Sequence, residues 1–165
     1  MKIAFLDRDG TINRDYPDLC WSQVKKPEIL EGAIEAMNKF IIAGYKIIII
    51  TNQYIIGDGI ISLSDYQSFT EMLLDELHNN GVEILDIFYC PHSKNVNCNC
   101  YKPKPGMIQA ACRKYPEINL RESFYVGDSF ADMELAEKCG IKFFGINLKC
   151  KNSIQKLSDM SKIQL

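Results

Sequence analysis

The residues of this chain best suited to chemistry are two carboxylates spaced i, i+2 near its start, in Ile3-Ala4-Phe5-Leu6-Asp7-Arg8-Asp9-Gly10-Thr11. The apolar run before them is too short for a helix and reads as a buried strand, bounded by Gly10. Strand alternation puts Asp7 and Asp9 on one side. Two carboxylates at the carboxyl end of a buried parallel strand are costly unless a cation or a reaction uses them. The pair suits a carboxylate nucleophile beside a proton carrier, both close to a divalent metal. Asp7 is read as the nucleophile toward phosphorus, giving an aspartyl-phosphate. Asp9 is read as the general acid for the leaving alkoxide, then the base for the hydrolytic water. The plainer alternative, one turn cap and one solvated acid, leaves the later polar clusters unexplained.

Thr51-Asn52-Gln53 ends a second apolar run, where a hydroxyl and amide donors can hold phosphate oxygens. Alone, the triplet also reads as a turn or helix cap. Lys102-Pro103-Lys104-Pro105-Gly106 forms a proline-stiffened loop before a helix. Lys102 there can neutralise phosphate charge and steady the nucleophile, whereas Lys104 reads as a solvated lysine. Gly127-Asp128-Ser129-Phe130-Ala131-Asp132 follows another apolar strand. Asp128 is expected to join Asp7 in holding Mg2+, an oxygen-seeking ion. Asp132 is either a support behind those ligands or a carboxylate in the first turn of the next helix. Cys90, His92, Cys98 and Cys100 lie within eleven residues as C-x-H then C-x-C. That spacing fits a closed, tetrahedral, structural Zn2+ site clamping a polar loop beside Lys102. Four reduced, unrelated side chains are the alternative. Cys112 and Cys139 read as packing residues.

These groups must be positioned by alternating strands and helices. The pattern predicts strands over Ile3–Leu6, Lys46–Ile50, Glu83–Tyr89, Ser123–Val126 and Lys142–Ile146. Helices are predicted over Glu31–Ala43, from an N-cap at Ser64 to Gly81, over Gly106–Tyr115 and over Ala131–Cys139, with one more in the tail from Ser153. Such alternation implies an α/β fold, a Rossmann-like three-layer sandwich with a mainly parallel central sheet. Ligands of such sheets sit at the carboxyl strand ends, where every motif above falls. The chain has 165 residues, consistent with one domain over 1–165 carrying a zinc loop at 90–100. A net charge of −2 gives no global basic bias, which disfavours nucleic acid as the main partner. No apolar stretch reaches the roughly 20 residues that span a bilayer, so no membrane partner is expected. Seven cysteines, an odd number, with no secretory leader pattern point to a reducing compartment and to the cytoplasm.

The four motifs, Asp7-Arg8-Asp9-Gly10-Thr11, Thr51-Asn52-Gln53, Lys102 and Gly127-Asp128 with Asp132, resemble in order those of the haloacid dehalogenase superfamily of phosphohydrolases. The zinc loop is similar to that of the capless group holding the D-glycero-D-manno-heptose 1,7-bisphosphate 7-phosphatases and the histidinol-phosphatase domains. The resemblance implies a Mg2+-dependent phosphomonoesterase with no large cap domain and a small phosphorylated substrate, foremost a sugar phosphate. It implies catalytic roles for Asp7, Asp9, Thr51 and Lys102, and substrate contacts from Thr51, Asn52, Gln53 and Lys102. It also implies Mg2+ held by Asp7, the Asp9 backbone carbonyl and Asp128. The run Lys102–Met107 is nearer the heptose group. Tyr101 stands where that group has an arginine, and Asp58 where its Tyr54–Gly59 loop would carry another. Both remove positive charge from a second phosphate. The Asn13–Lys26 loop, with Tyr16, Trp21 and Lys25, is an alternative source of contacts. Histidinol-phosphate hydrolysis, polynucleotide 3'-phosphate hydrolysis and a non-catalytic zinc-stabilised binding module remain the alternatives.

Overall fold

A computed structural model describes residues 1–162. In chain order the elements are β1 (Ile3–Leu6), α1 (Ala33–Ile42), β2 (Lys46–Asn52), α2 (Tyr54–Gly57), α3 (Leu63–Asn79), β3 (Ile84–Cys90), α4 (Gly106–Lys114), β4 (Phe124–Gly127), α5 (Phe130–Lys138), β5 (Lys142–Ile146) and β6 (Ser153–Ile154). Three short 3-10 turns, Asp18–Gln23, Leu120–Glu122 and Leu157–Lys162, complete them. The sheet order is β3-β2-β1-β4-β5-β6, and every neighbouring pair is parallel.

The sheet is buried on both faces, which is why its inner strands are apolar without interruption. Ile47 to Ile50 supply four consecutive β-branched side chains that pack well on a pleat. Alternation divides them. Ala4, Leu6, Ile47, Ile49 and Val126 pack beneath α1 and α3, through Met37, Phe40, Leu73 and Leu77. Ile3, Phe5, Ile48, Ile50 and Tyr125 pack beneath α4 and α5, through Met107, Ile108, Leu135 and Ala136. Each fully buried Val, Leu, Ile, Phe or Met among them contributes roughly 1.5–3 kcal/mol. The result is the expected Rossmann-like α/β sandwich of three layers. A smaller cluster of Trp21, Ile55 and Phe69 seats the 3-10 turn Asp18–Gln23 against α2 and α3.

Two expectations are corrected. The cap of α3 is Ser62, not Ser64: Ser62 and Asp65 close a reciprocal capping box, so the helix starts earlier. The tail does not begin as a helix at Ser153. Gly145 and Ile146 of β5 face Ser153 and Ile154, which pair there as a sixth strand and occupy an otherwise open sheet edge. Leu157 and Met160 then bury beside α1. The expected domain extends to 165, and its residues 163–165 lie outside the described residues. Among the described residues no helix is long and apolar enough to cross a membrane.

The chain runs from β1 outward to β2 and β3, then returns to β4 on the other side of β1. That reversal leaves a crevice between the carboxyl ends of β1 and β4, the usual ligand position in open α/β sheets.

Candidate active site

Asp7 follows β1 directly, and its N–H continues the ladder to the Val126 carbonyl of β4 at 2.9 Å. Asp128 follows β4. The two carboxylates therefore meet across the crevice. Gly10 makes room for them: its φ is +81°, and a Cβ there would lie 2.0 Å from Asp128 Oδ2. Thr51 and Asn52 end β2 beside β1, and Lys102 arrives from the loop after β3. The cleft holding these groups has a volume of about 300 Å³.

Lys102 is its electrostatic centre. The residue is 3% exposed, and Nζ donates to Asp7 Oδ1 at 2.7 Å, Asp132 Oδ1 at 2.7 Å and the Ile50 carbonyl at 3.1 Å. Burial pushes the ammonium's pKa down, but Asp132 and then Asp7 outweigh it and hold it above the usual lysine range. Asp7 is raised well above the carboxylate range, by burial first and then by Asp132 and Asp128, with Lys102 opposing. Burial and Asp132 push Asp128 up to about 6. Three acids, Asp7, Asp128 and Asp132, thus cluster around one ammonium and lack positive charge. Their oxygens lie within 4.8 Å of one another, a hard-oxygen donor set that fits a divalent cation such as Mg2+.

Asp132 occupies the first turn of the helix that follows, one of the two places expected for it. It is the third residue of α5, in a capping box with Ser129. Its Oδ1 also accepts from Lys102 and from the Tyr125 hydroxyl at 2.9 Å. A Cβ on Gly127 would lie 2.5 Å from the Asp132 carboxyl carbon, so glycine is needed for that approach.

Asp7 and Asp9 both line the cleft but face different partners. Asp7 still continues the ladder of β1, whereas the chain turns between Arg8 and Gly10, so strand alternation does not carry through to Asp9. Asp9 accepts from Arg8, from Asn13 Nδ2 at 2.9 Å and from Gln53 Nε2 at 2.8 Å. Gln53 Nε2 also donates to the buried Thr51 hydroxyl oxygen at 2.8 Å. Asn52 clamps the main chain of Lys102, accepting from its N–H at 2.9 Å and donating to its carbonyl at 3.3 Å. Thr51, Asn52, Gln53 and Lys102 are therefore brought together, with both amides engaged in holding neighbours.

The outer wall contains Asp15, Asp18, Trp21, Tyr54, Lys94 and Tyr101. The Tyr54 hydroxyl donates to Asp18 at 2.6 Å, and Lys94 Nζ lies 3.8 Å from the Tyr54 ring centroid. Of the expected loop contacts, Trp21 lines the cleft and Tyr16 packs edge-on against it. Lys25 and Asp58 are not among the lining residues. Sequence reasoning missed Lys94, Asp15 and Asp18. Lys94 sits inside the cysteine loop, where a solvated lysine is the default reading; its side chain stays half exposed, and only the fold brings it to the cleft.

Cys90, His92, Cys98 and Cys100 converge as their spacing predicts. Cys90 Sγ lies 3.1 Å from Cys100 Sγ, 3.6 Å from Cys98 Sγ and 3.5 Å from His92 Nδ1. Ligands on a tetrahedral Zn2+ at ordinary bond lengths would be roughly 3.5–3.8 Å apart, so the cage fits that ion with slight opening. Burial raises the Cys90 and Cys100 thiols; it also acts on Cys98, but there the Tyr101 main chain and the neighbouring thiols pull the value down to about 6. Lys104 is not free in solvent: its Nζ donates to the Cys98 carbonyl at 2.7 Å and Asn97 Oδ1 at 2.8 Å.

Residues 2–145 match the family model described as polynucleotide kinase 3 phosphatase. The chain is 40% identical over 148 residues to a D-glycero-alpha-D-manno-heptose-1,7-bisphosphate 7-phosphatase of Photorhabdus laumondii subsp. laumondii, covering 86% of this chain and 79% of that one. It is 36% identical over 154 residues to a D-glycero-beta-D-manno-heptose-1,7-bisphosphate 7-phosphatase of Helicobacter pylori, covering 93% and 82%. The crystal structure of D,D-heptose 1,7-bisphosphate phosphatase from B. bronchiseptica, complexed with magnesium and phosphate, superposes with a TM-score of 0.86. It is 25% identical and covers 98% of this chain and 97% of its own. A family match that runs from β1 into β5, and so takes in every strand end bearing a carboxylate, means that this chain belongs to the polynucleotide kinase 3 phosphatase family of the haloacid dehalogenase superfamily, as a phosphoric monoester hydrolase.

Proposed function

We propose that this protein is a Mg2+-dependent phosphomonoesterase that works through an aspartyl-phosphate on a sugar phosphate. D-glycero-D-manno-heptose 1,7-bisphosphate, cleaved at its 7-phosphate, is the first candidate. The reading rests on one observation above all, the buried Lys102 ammonium held between Asp7 and Asp132 at the mouth of the β1/β4 crevice. A carboxylate pinned by an ammonium at a ligand crevice is poised to meet a phosphoryl group, whose oxygens Lys102 can also attract.

Asp7 attacks phosphorus in line with the leaving oxygen. Asp9 gives that oxygen a proton as its bond to phosphorus breaks, then takes one from the water that cleaves the aspartyl-phosphate. Thr51 offers its hydroxyl proton to a phosphoryl oxygen, while Asn52 and Gln53 hold Lys102, Thr51 and Asp9 in register. Asp7, Asp128 and the Asp9 main-chain carbonyl would hold Mg2+, with Asp132 behind them. Bound there, the ion neutralises phosphoryl charge that Lys102 alone cannot.

The leaving group faces Trp21, Tyr54 and Tyr101 with Asp15, Asp18 and Lys94. Aromatic faces and carboxylate acceptors suit a hydroxyl-rich sugar. Lys94, 3.8 Å from Asp18, is a cation of the outer wall, in the absence of an arginine at Tyr101. The acids Asp15 and Asp18 specifically favour one second reading, a cationic amino-alcohol such as histidinol phosphate. They oppose a polynucleotide, whose phosphates need a run of basic contacts. Phosphate release from heptose bisphosphate, hexose phosphates, histidinol phosphate and a 3'-phosphorylated oligonucleotide, with Mg2+, tests the reading. Sugar phosphates should lead in kcat/KM, and a lead by histidinol phosphate or the oligonucleotide would displace it.

The zinc loop, 90–100, belongs to a single proposed domain over 1–165, and its unpaired cysteines suit the cytoplasm. Zn2+ there is structural because the four ligands leave no open position. Removing it with a chelator, or replacing Cys100 by Ser, is expected to lower Tm by several degrees and weaken turnover through loss of order around Tyr101 and Lys102. Metal analysis should find about one zinc per chain, lost in the Cys100→Ser variant.

A further inference from the structure

Arg8 lies between the two site aspartates in sequence, yet its side chain turns away from Asp7. It is 1% exposed and heads the fully buried side chains by volume. Nε donates to Asp9 Oδ1 at 3.0 Å and Oδ2 at 3.2 Å, and Nη2 donates to Oδ2 at 2.9 Å. The guanidinium carbon lies 5.0 Å, 5.4 Å and 5.7 Å from the ring centroids of Phe69, Tyr66 and Trp21. Nη1 is buried and has no hydrogen-bond partner. A cation this desolvated needs an anion, and Asp9 supplies it, while the three rings pack around the guanidinium beside a small cavity that Val24, Ile61 and Asp65 also line. A fork of this kind fixes the plane of the carboxylate as well as its place. Two of the rings come from α3 and one from the turn Asp18–Gln23, so the orientation of Asp9 is set by elements outside the catalytic loop.

We infer that Arg8 is the positioning residue for Asp9, holding its carboxyl where it meets the leaving oxygen from a bed formed by Trp21, Tyr66 and Phe69. This rests on the proposed role of Asp9. In that step the Asp7 oxygen–phosphorus bond forms as the phosphorus–leaving-oxygen bond breaks, and a proton that Asp9 has taken up from solvent beforehand passes to the leaving oxygen, which returns Asp9 to the anion paired with Arg8. A phenolate leaving group departs without that proton, whereas a sugar alkoxide needs it. Arg8 therefore matters for one class of substrate and not the other.

The test compares kcat/KM for 4-nitrophenyl phosphate with kcat/KM for the fastest sugar phosphate of the panel. Arg8→Lys keeps the charge but loses the fork, and should lower the sugar phosphate value about 10²-fold while changing the nitrophenyl value by less than about threefold. Equal losses on both substrates, or no loss on either, overturn the inference. Asp9→Asn serves as the reference. If it shows no such difference, Asp9 is not the proton carrier and the functional reading fails with the inference. If it does and Arg8→Lys does not, the inference alone fails. Should Arg8→Lys not fold, Phe69→Leu, which removes one ring from outside the lining of the cleft, carries the test. It should lower the sugar phosphate value several-fold more than the nitrophenyl value, and equal losses overturn the inference.

Discussion

Replacing Asp7 by Asn should lower kcat for every phosphate monoester by at least about 10⁴-fold, the scale set when a nucleophile acting with its partners is removed. Asn has nearly the same shape, so the crevice keeps its form, but its amide does not attack phosphorus. The loss should be similar for sugar and nitrophenyl substrates, because the nucleophile serves both. Folding should survive. The substitution removes one member of a crowded set of acids, Asp7, Asp128 and Asp132, and leaves Lys102 paired with Asp132 at 2.7 Å. A Tm within a few degrees of the parent is expected from these opposing changes. Phosphate release, with Tm as the control, decides it: persistence of turnover at a similar rate would remove Asp7 from the nucleophile's place. Mass spectrometry of acid-quenched enzyme should find a phosphoryl adduct in the parent and none in Asp7→Asn.

The second large effect is on stability and activity together. Lys102→Met keeps much of the side-chain length but deletes the ammonium. Asp7 and Asp132, the latter wholly buried, then face each other without their shared counter-charge. Breaking a buried ion pair by removing one partner costs about 3–5 kcal/mol, because the other charge remains desolvated. Here two carboxylates remain, so the loss should lie at the upper end. Urea unfolding should register it as a lower midpoint with little change in slope. Excess Mg2+ should restore part of the stability by binding the stranded carboxylates. Turnover should stay low even in folded enzyme, since the phosphoryl group loses its closest fixed cation. A Lys102→Met variant as stable as the parent would contradict the buried electrostatics described above.

Much of the fold was legible because its causes are local. Consecutive isoleucines, Ile47 to Ile50, mark a strand covered on both faces, and strands recurring between helical stretches require parallel pairing. The placement of the Asp7, Thr51 and Asp128 motifs followed, since each lies at a strand's carboxyl end, while Lys102 reaches the same crevice from the loop after β3. The misplaced boundaries have physical reasons too. Ser62 and Ser64 are both plausible caps, and the reciprocal bond with Asp65 selects between them. Ser153 and Ile154 carry a strand only because β5 offers them an edge.

By itself, the sequence determined which groups could do chemistry: Asp7, Asp9, Lys102, Asp128 and the four cage residues Cys90, His92, Cys98 and Cys100. Residue type and close spacing single those out as candidates, because a carboxylate pair or a C-x-H, C-x-C run has few inexpensive uses. Only the tertiary structure decided which group each one faces. It placed Lys102 between Asp7 and Asp132, spent the amides of Asn52 and Gln53 on their neighbours, brought Lys94 to the edge of the cleft and left Asp58 outside the lining. It also drew Arg8 down among rings from two distant segments to hold the residue next to it in sequence. Contacts of that kind join positions far apart in the chain, and a buried charge takes its orientation from whatever the completed fold packs around it.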